Sequence, residues 1–240
     1  MIDPATVTGV DVEAGSGARA QPSTTRGEET RGRIVDAALR LFEERGFERT
    51  TMRAVAGEAG VSLGNAYYYF ASKEHLVQAF YDRMQDLHRA ASSEARAREV
   101  TFAGRLLAVE RSWVEIAAPY HPFAGKFFKQ AAEPTSPLSP FSPESAPARE
   151  TTVALFRSVV EGSDAKLDDG LRAELPELLW LAHMGVVLFW VHDRSEGQRR
   201  TTALVDRAVP LVDRLVRLSR LRPLRPAVRE VLDVVRAVRG

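Results

Sequence analysis

GVSLGNAYYYF, residues 60–70, carries two incompatible readings, and the choice between them decides the fold. Gly60, Ser62 and Gly64 spell GxSxG, the pattern of a hydrolase nucleophile elbow, with Ser62 as the nucleophile. An elbow needs a strand before the serine, because the strand-to-helix turn is what lifts the hydroxyl above a parallel sheet. Helical periodicity precedes Ser62 instead. From Glu28 onward, Ile34, Ala37, Ala38, Leu41 and Phe42 keep i, i+3, i+4, i+7, i+8 spacing, and Gly46 ends that helix. Thr50 and Thr51 offer a capping hydroxyl for a second helix over 52–59, which stops at Gly60. A third short helix fits 63–70, and Ser72 caps a fourth that carries Glu74 in its first turn and continues through Leu76, Phe80 and Met84. His88, His121, His183 and His192 follow the serine, but no sheet is there to place them.

A helix-turn-helix explains the same residues. Ala56 lets the second helix approach closely, Gly60 takes a left-handed turn at little cost, and Val55, Ala59, Ala66 and Phe70 supply the inner faces. The outer face of the third helix then holds Leu63 with Tyr67 and Gly64 with Tyr68.

The rest of the chain is helical too. Apolar stripes run through Phe102, Leu106, Val109, Trp113 and Ile116, and through Leu204, Ala208, Leu211, Leu215 and Leu218, where Pro210 predicts a kink. A short aromatic helix occupies 123–132. Residues 133–147, EPTSPLSPFSPESAP, predict a long exposed loop, either a lid or, in the preferred reading, a tolerated insertion. The apolar run 178–191 is shorter than the ~18 residues of a membrane span, so it predicts a buried helix and no membrane partner. The fold class is all-α, with no strand-like alternation and no repeats.

Composition narrows the chemistry. With 240 residues and 45% hydrophobic content the chain can build a proper core, and its lack of cysteine excludes disulfides, thiolate metal sites and thiol catalysis. That usage agrees with a cytoplasmic protein. Residues 1–26 lack the basic and apolar regions of a signal peptide and predict a disordered leader. No cluster of histidines or carboxylates supports a metal, and nothing calls for a cofactor.

The segment TTMRAVAGEAGVSLGNAYYYFASKEHL resembles the DNA-binding segment of the TetR family of bacterial repressors, over roughly residues 30–80. The resemblance implies a helix-turn-helix DNA-binding domain at 27–75 and a helical effector-binding and dimerisation domain at 76–240. It implies that Thr51, Ser62, Tyr67, Tyr68 and Lys73 contact phosphates, that Leu63 and Asn65 face base edges, and that Gly64 lets the backbone approach the duplex. Arg53 either meets phosphate or is solvated, and the tyrosines have ordinary packing as their alternative. Two departures stand out: Ala54 replaces the frequent acid, and Leu63 a frequent basic residue. Basic and acidic residues cancel within 26–75, so DNA affinity has to come from where the charges sit and from a dimer doubling each contact.

In the larger domain, Trp113, Tyr120, His121, Phe127, Phe128, Trp180, His183, Met184, Phe189 and Trp190 either line an effector pocket or are plain core. Trp113, Tyr120, Phe127, Phe128, His183, Phe189 and Trp190 are the pocket expected for a small apolar or aromatic effector. His183 is read as a buried hydrogen-bonding group or as an effector contact. The family resemblance further implies a homodimer, through helices near 175–193 and 199–221, reading a palindromic double-stranded DNA operator. The arginines at 222, 225, 229, 236 and 239 predict a solvated helix face. The alternatives are a dimeric DNA-binding scaffold without ligand and a hydrolase using Ser62.

Overall fold

The computed structural model describes residues 22–133 and 135–221, together with 223, 226, 230, 232, 233 and 237. Its elements are helical: α1 (Pro22–Arg45), α2 (Met52–Glu58), α3 (Leu63–Tyr69), α4 (Lys73–Ala97), α5 (Phe102–Ala117), α6 (His121–Ala131), α7 (Ala146–Glu161), α8 (Asp169–His192) and α9 (Arg199–Leu218). No strand occurs among the described residues.

Local chemistry fixes the α1–α3 module. Gly46, at φ 83°, closes α1 by donating its N–H to the Phe42 carbonyl at 2.9 Å. Gly60, at φ 66°, closes α2 with the paired bonds of a Schellman motif: Val61 N to Ala56 O at 3.0 Å and Gly60 N to Gly57 O at 3.2 Å. Thr51 and Ser62 are the N-caps of α2 and α3, accepting from Ala54 N at 3.2 Å and Asn65 N at 3.1 Å. Ala54 cannot return the bond that a glutamate would make at that position, so the cap of α2 is one-sided. Thr50 is instead buried, its hydroxyl bonded to the carbonyls of Leu41 and Gly46. Ala66 and Phe70 face inward onto Ile34, Val55 and Leu76 in one apolar cluster.

A second cluster, with Phe102, Val109, Phe156, Leu179 and Val205 among its members, holds the body together. The α8–α9 corner depends on Asp193. Its carboxylate accepts from Ser195 N (2.9 Å) and Oγ (2.7 Å), and from Thr201 N and Oγ1 (both 2.8 Å). Burial pushes this carboxyl up, but the bonds from Ser195 and Thr201 outweigh it and hold it at about 2.

Three expectations change. Helix α1 begins at Pro22, inside the segment expected to be a disordered leader; residues 1–21 lie outside the described residues. The described residues of 133–145 form turns as expected, but the segment is only partly exposed. Leu138 is buried, its carbonyl accepts from Tyr81, and Phe141 stacks edge-on to Trp180 at 5.3 Å. Ser139, Ser142 and Ser145 are buried beside it, and the hydroxyls of Ser142 and Ser145 donate to the Pro137 carbonyl. Helix α8 has 24 residues, long and apolar enough to cross a membrane by length and composition. Its buried Leu171, Leu175, Leu179, Trp180, His183 and Trp190 nevertheless give it the packing of a core helix. Pro210 lies within α9 without ending it. The arginines at 222, 225, 229, 236 and 239 fall outside the described residues.

Asp193→Asn replaces one acceptor oxygen with a donor and strands the groups it served. It is expected to cost about 1–3 kcal/mol in urea denaturation; an unchanged midpoint would remove Asp193 as the anchor of the corner.

Candidate functional site

The outward face of α3 and its approach carries Thr51, Arg53, Ser62, Gly64, Asn65, Tyr67 and Tyr68, all exposed. Tyr67 is 51% and Tyr68 82% accessible, an unusual exposure for aromatic rings, even though Tyr68 meets Tyr69 edge-on at 5.2 Å. Tyr69 instead packs against the module core, so only two of the three tyrosines are free. No acid lies between Ala59 and Lys73, and Glu58, which flanks the stretch, is paired with Arg40 at 3.2 Å. A Cβ built on Gly64 meets nothing within 4 Å, so the fold itself does not require glycine there. The capping hydroxyls of Thr51 and Ser62 use a lone pair for the cap and keep an O–H to donate.

Two residues expected in this set have other work. Lys73 donates from Nζ to the carbonyls of Phe47 (2.8 Å) and Glu48 (3.3 Å), and its ammonium lies 4.5 Å from the Phe47 ring centroid. It ties α4 to the α1–α2 turn rather than standing free for phosphate. Leu63 is half-buried against the module core, which limits how much of it faces outward.

The body holds a partly open cavity of about 210 Å³ among α4, α5, α6, α7, α8 and the 133–145 turns. Trp113, Tyr120, Phe128, His183 and Trp190 line it, as do Trp180 and Met184. Trp113, Trp180 and Trp190 are all three tryptophans of the chain. Phe189 does not line it: it points outward, 42% exposed, one residue before Trp190. Phe127 lies on α6, but its side chain is outside the described residues. His121 stands behind the wall, its Nε2 2.8 Å from the Trp190 carbonyl.

Sequence reasoning missed the α4 wall (Phe80, Tyr81, Met84, Gln85) and the α7 wall (Arg149, Thr152). Their apolar members share the periodicity of ordinary core, and nothing in one helix says which void a neighbouring helix leaves. It also missed Glu110. His183 Nδ1 lies 3.0 Å from Glu110 Oε2, with both side chains buried, so His183 is at once a hydrogen-bonded core group and a cavity residue. His88 stacks beside it at 6.1 Å, and its Nε2 donates to the Val109 carbonyl at 2.9 Å. Burial and then the His183 ring push His88 down to about 4, against that hydrogen bond.

Residues 34–80 match the family profile for bacterial regulatory proteins of the tetR family, and residues 105–236 match the tetracyclin repressor-like C-terminal domain. The second match alone spans more than half of the chain. The chain belongs to the TetR family. Its relatives are transcriptional regulators, not enzymes, and α2 stands where a nucleophile elbow would need a strand, so the hydrolase reading of Ser62 is set aside.

The TtgR regulator of Pseudomonas putida is 44% identical over 71 residues, 28% of this chain and 34% of that protein. The UidR regulator of Escherichia coli is 41% identical over 75 residues, 31% of this chain and 36% of that one. The chain thus spans about a third of the length of these curated relatives. The fold extends further. A TetR regulator from Nitrosomonas europaea superposes with a TM-score of 0.60 at 20% identity, over 76% of this chain and 97% of that one. FadR from Bacillus subtilis, solved in complex with stearoyl-CoA, gives a TM-score of 0.58 at 19% identity, over 75% and 96%.

His88 supplies a test of the buried polar layer. The unfolded chain protonates this histidine near 6.5 while the folded one holds it neutral down to about 4, so the unfolded state binds more protons across that window. Stability is therefore expected to fall as pH drops from 6.5 to 4, by at most about 3 kcal/mol from this group. His88→Gln, which can still donate to Val109, should flatten that part of the profile in denaturant titrations at stepped pH. A variant profile as steep as wild type would refute the assignment.

Proposed function

We propose that this chain is a dimeric, cytoplasmic transcriptional repressor that binds a palindromic DNA operator and leaves it when a small apolar or aromatic effector fills the α4–α8 cavity. The observation that carries the DNA half is the acid-free α3 face, with two uncovered tyrosines and a glycine that the fold leaves optional. Thr51, Arg53, Ser62, Tyr67 and Tyr68 are its phosphate contacts, Asn65 and the exposed part of Leu63 its base contacts, and Gly64 the point of closest backbone approach. Lys73 acts through the α1–α2 turn. In domain terms, 27–75 reads DNA and 76–240 holds the effector and the partner, with helix α1 already under way before residue 27.

The effector half rests on α4. Lys73 fixes its start to the DNA-binding module, while Phe80, Tyr81, Met84 and Gln85 form one wall of the cavity. A ligand that prefers a displaced α4 must weaken DNA binding by the same factor, about 5- to 150-fold for a typical coupling of 1–3 kcal/mol. The cavity favours this reading over a ligand-free scaffold. Stearoyl-CoA in the FadR structure supports a small-molecule site in a body of this fold, and about 210 Å³ suits a smaller ligand here.

The homodimer rests on the exposed apolar row Leu181, Leu188 and Phe189 on α8 and Leu211, Leu215 and Leu218 on α9. Leucines at i, i+4 and i+7 on α9, exposed among the described residues, make a helix-pairing seam. A Leu215→Glu variant is expected to sediment as a monomer where wild type is a dimer, and a monomeric wild type at micromolar concentration would sink the reading.

Fluorescence anisotropy on DNA from the region upstream of the chain's own gene tests the DNA face. Asn65→Ala and Tyr67→Phe are each expected to weaken salt-dependent binding about tenfold. Gly64→Ala should weaken it while leaving thermal stability unchanged or raised by up to about 1 kcal/mol, since alanine favours a helix. Wild-type affinity in all three variants would place the DNA contacts elsewhere.

A further inference from the structure

We propose that the Glu110–His183 pair is a ligand subsite selecting a phenolic hydroxyl, so that the effector is a small phenol rather than a plain hydrocarbon or an aliphatic acid. The inference rests on the effector cavity proposed above and specifies its chemistry. A carboxylate only accepts, so Glu110 Oε2 at 3.0 Å takes a hydrogen bond donated from His183 Nδ1. In the neutral ring that bond fixes the tautomer and leaves Nε2 as a lone pair on the opposite edge. His183 is 3% exposed, lines the cavity, and has no partner for Nε2 among the described residues.

The other neighbours of the ring are π faces or edges: His88 at 6.1 Å, Trp113 at 5.1 Å and Phe156 at 5.6 Å. None of these contacts is a hydrogen bond to Nε2. The Nε2 edge of a residue that lines the cavity is therefore a hydrogen-bonding position that a ligand can complete.

The hydroxyl has to be phenolic because of what surrounds it. Phe80, Trp113, Phe123 and Trp190 present aromatic surface to the cavity, which favours a planar ring. Apolar cavities of about 150 Å³ hold benzene, so about 210 Å³ has room for a one-ring compound with a short substituent. A phenol O–H is a stronger donor than an alcohol, and a carboxylate behind the imidazole makes Nε2 a stronger acceptor. Arg149 is the competing handle, because it lines the same cavity with a bond to the Pro140 carbonyl but no carboxylate partner among the described residues; it would select an anion.

The test is calorimetric titration of the full chain with 4-propylphenol, propylbenzene, 4-propylanisole and 4-propylbenzoate. Wild type is expected to bind the phenol about tenfold more tightly than propylbenzene or the methyl ether. His183→Phe should erase that preference while still binding propylbenzene, which shows that the variant is folded. Glu110→Gln should reduce the preference with the shape of the site kept. Equal affinity for phenol and hydrocarbon would overturn the subsite and leave the effector cavity standing. Tightest binding of the benzoate would overturn it in favour of Arg149. No binding by any probe would remove the subsite and the effector reading together.

Discussion

The start of α4 is the constraint on which the rest of the molecule depends. Lys73 donates to the carbonyls closing the α1–α2 turn and sets its ammonium over the Phe47 ring, so the first turn of α4 is held at its N-terminal end. Farther along, Arg83 pairs with Asp36 on α1 at 2.5 Å. A helix of 25 residues is about 37 Å long, and this one is anchored twice to the DNA-binding module before it reaches the body. Whatever moves its middle must move the module or break those anchors. In the proposed mode of action the Lys73 ammonium transmits position, and the DNA face relies on Arg53, hydroxyls, tyrosines and an amide instead.

The body solves a different problem. It contains ionisable groups in places where water does not reach, and specific partners hold them. Asp193 gathers donors from Ser195 and Thr201 and turns the chain from α8 into α9. His88 is kept neutral and donates to a backbone carbonyl. The Glu110–His183 pair differs from these in leaving an edge unsatisfied, and that edge belongs to a side chain lining the cavity. In the proposed subsite a ligand pairs that edge.

The DNA-binding module is legible in the sequence because its determinants are local. Gly46 and Gly60 mark left-handed caps, Thr51 and Ser62 mark helix starts, and the inner faces follow helical period. Lys73 defeats that reading because the same motif position is compatible with phosphate or with two backbone carbonyls a tertiary contact away. The 133–147 loop defeats it because its composition is polar, while Leu138 and Phe141 decide its direction and its serines satisfy themselves on nearby carbonyls. The cavity is legible only in part. Helix α8 is apolar on nearly every side, so periodicity carries no phase to tell Phe189, which faces out, from Trp190, which faces the void.

That absence of phase has a mechanical consequence. On α8, His183, Val187 and Trp190 line the cavity while Leu181, Leu188 and Phe189 lie on the uncovered outer face. In the proposed dimer, one rigid helix is thus the back wall of the effector site and part of the seam between protomers. A ligand that rotates or shifts α8 cannot do so without changing how the seam packs, and packed interfaces switch between discrete arrangements rather than deforming smoothly. In that proposed dimer the spacing of the two recognition helices is set across the same seam. Effector occupancy then has two routes to the operator, through α4 within a protomer and through α8 between protomers. Linkage makes both reciprocal, so a chain clamped on DNA must hold the effector correspondingly less tightly.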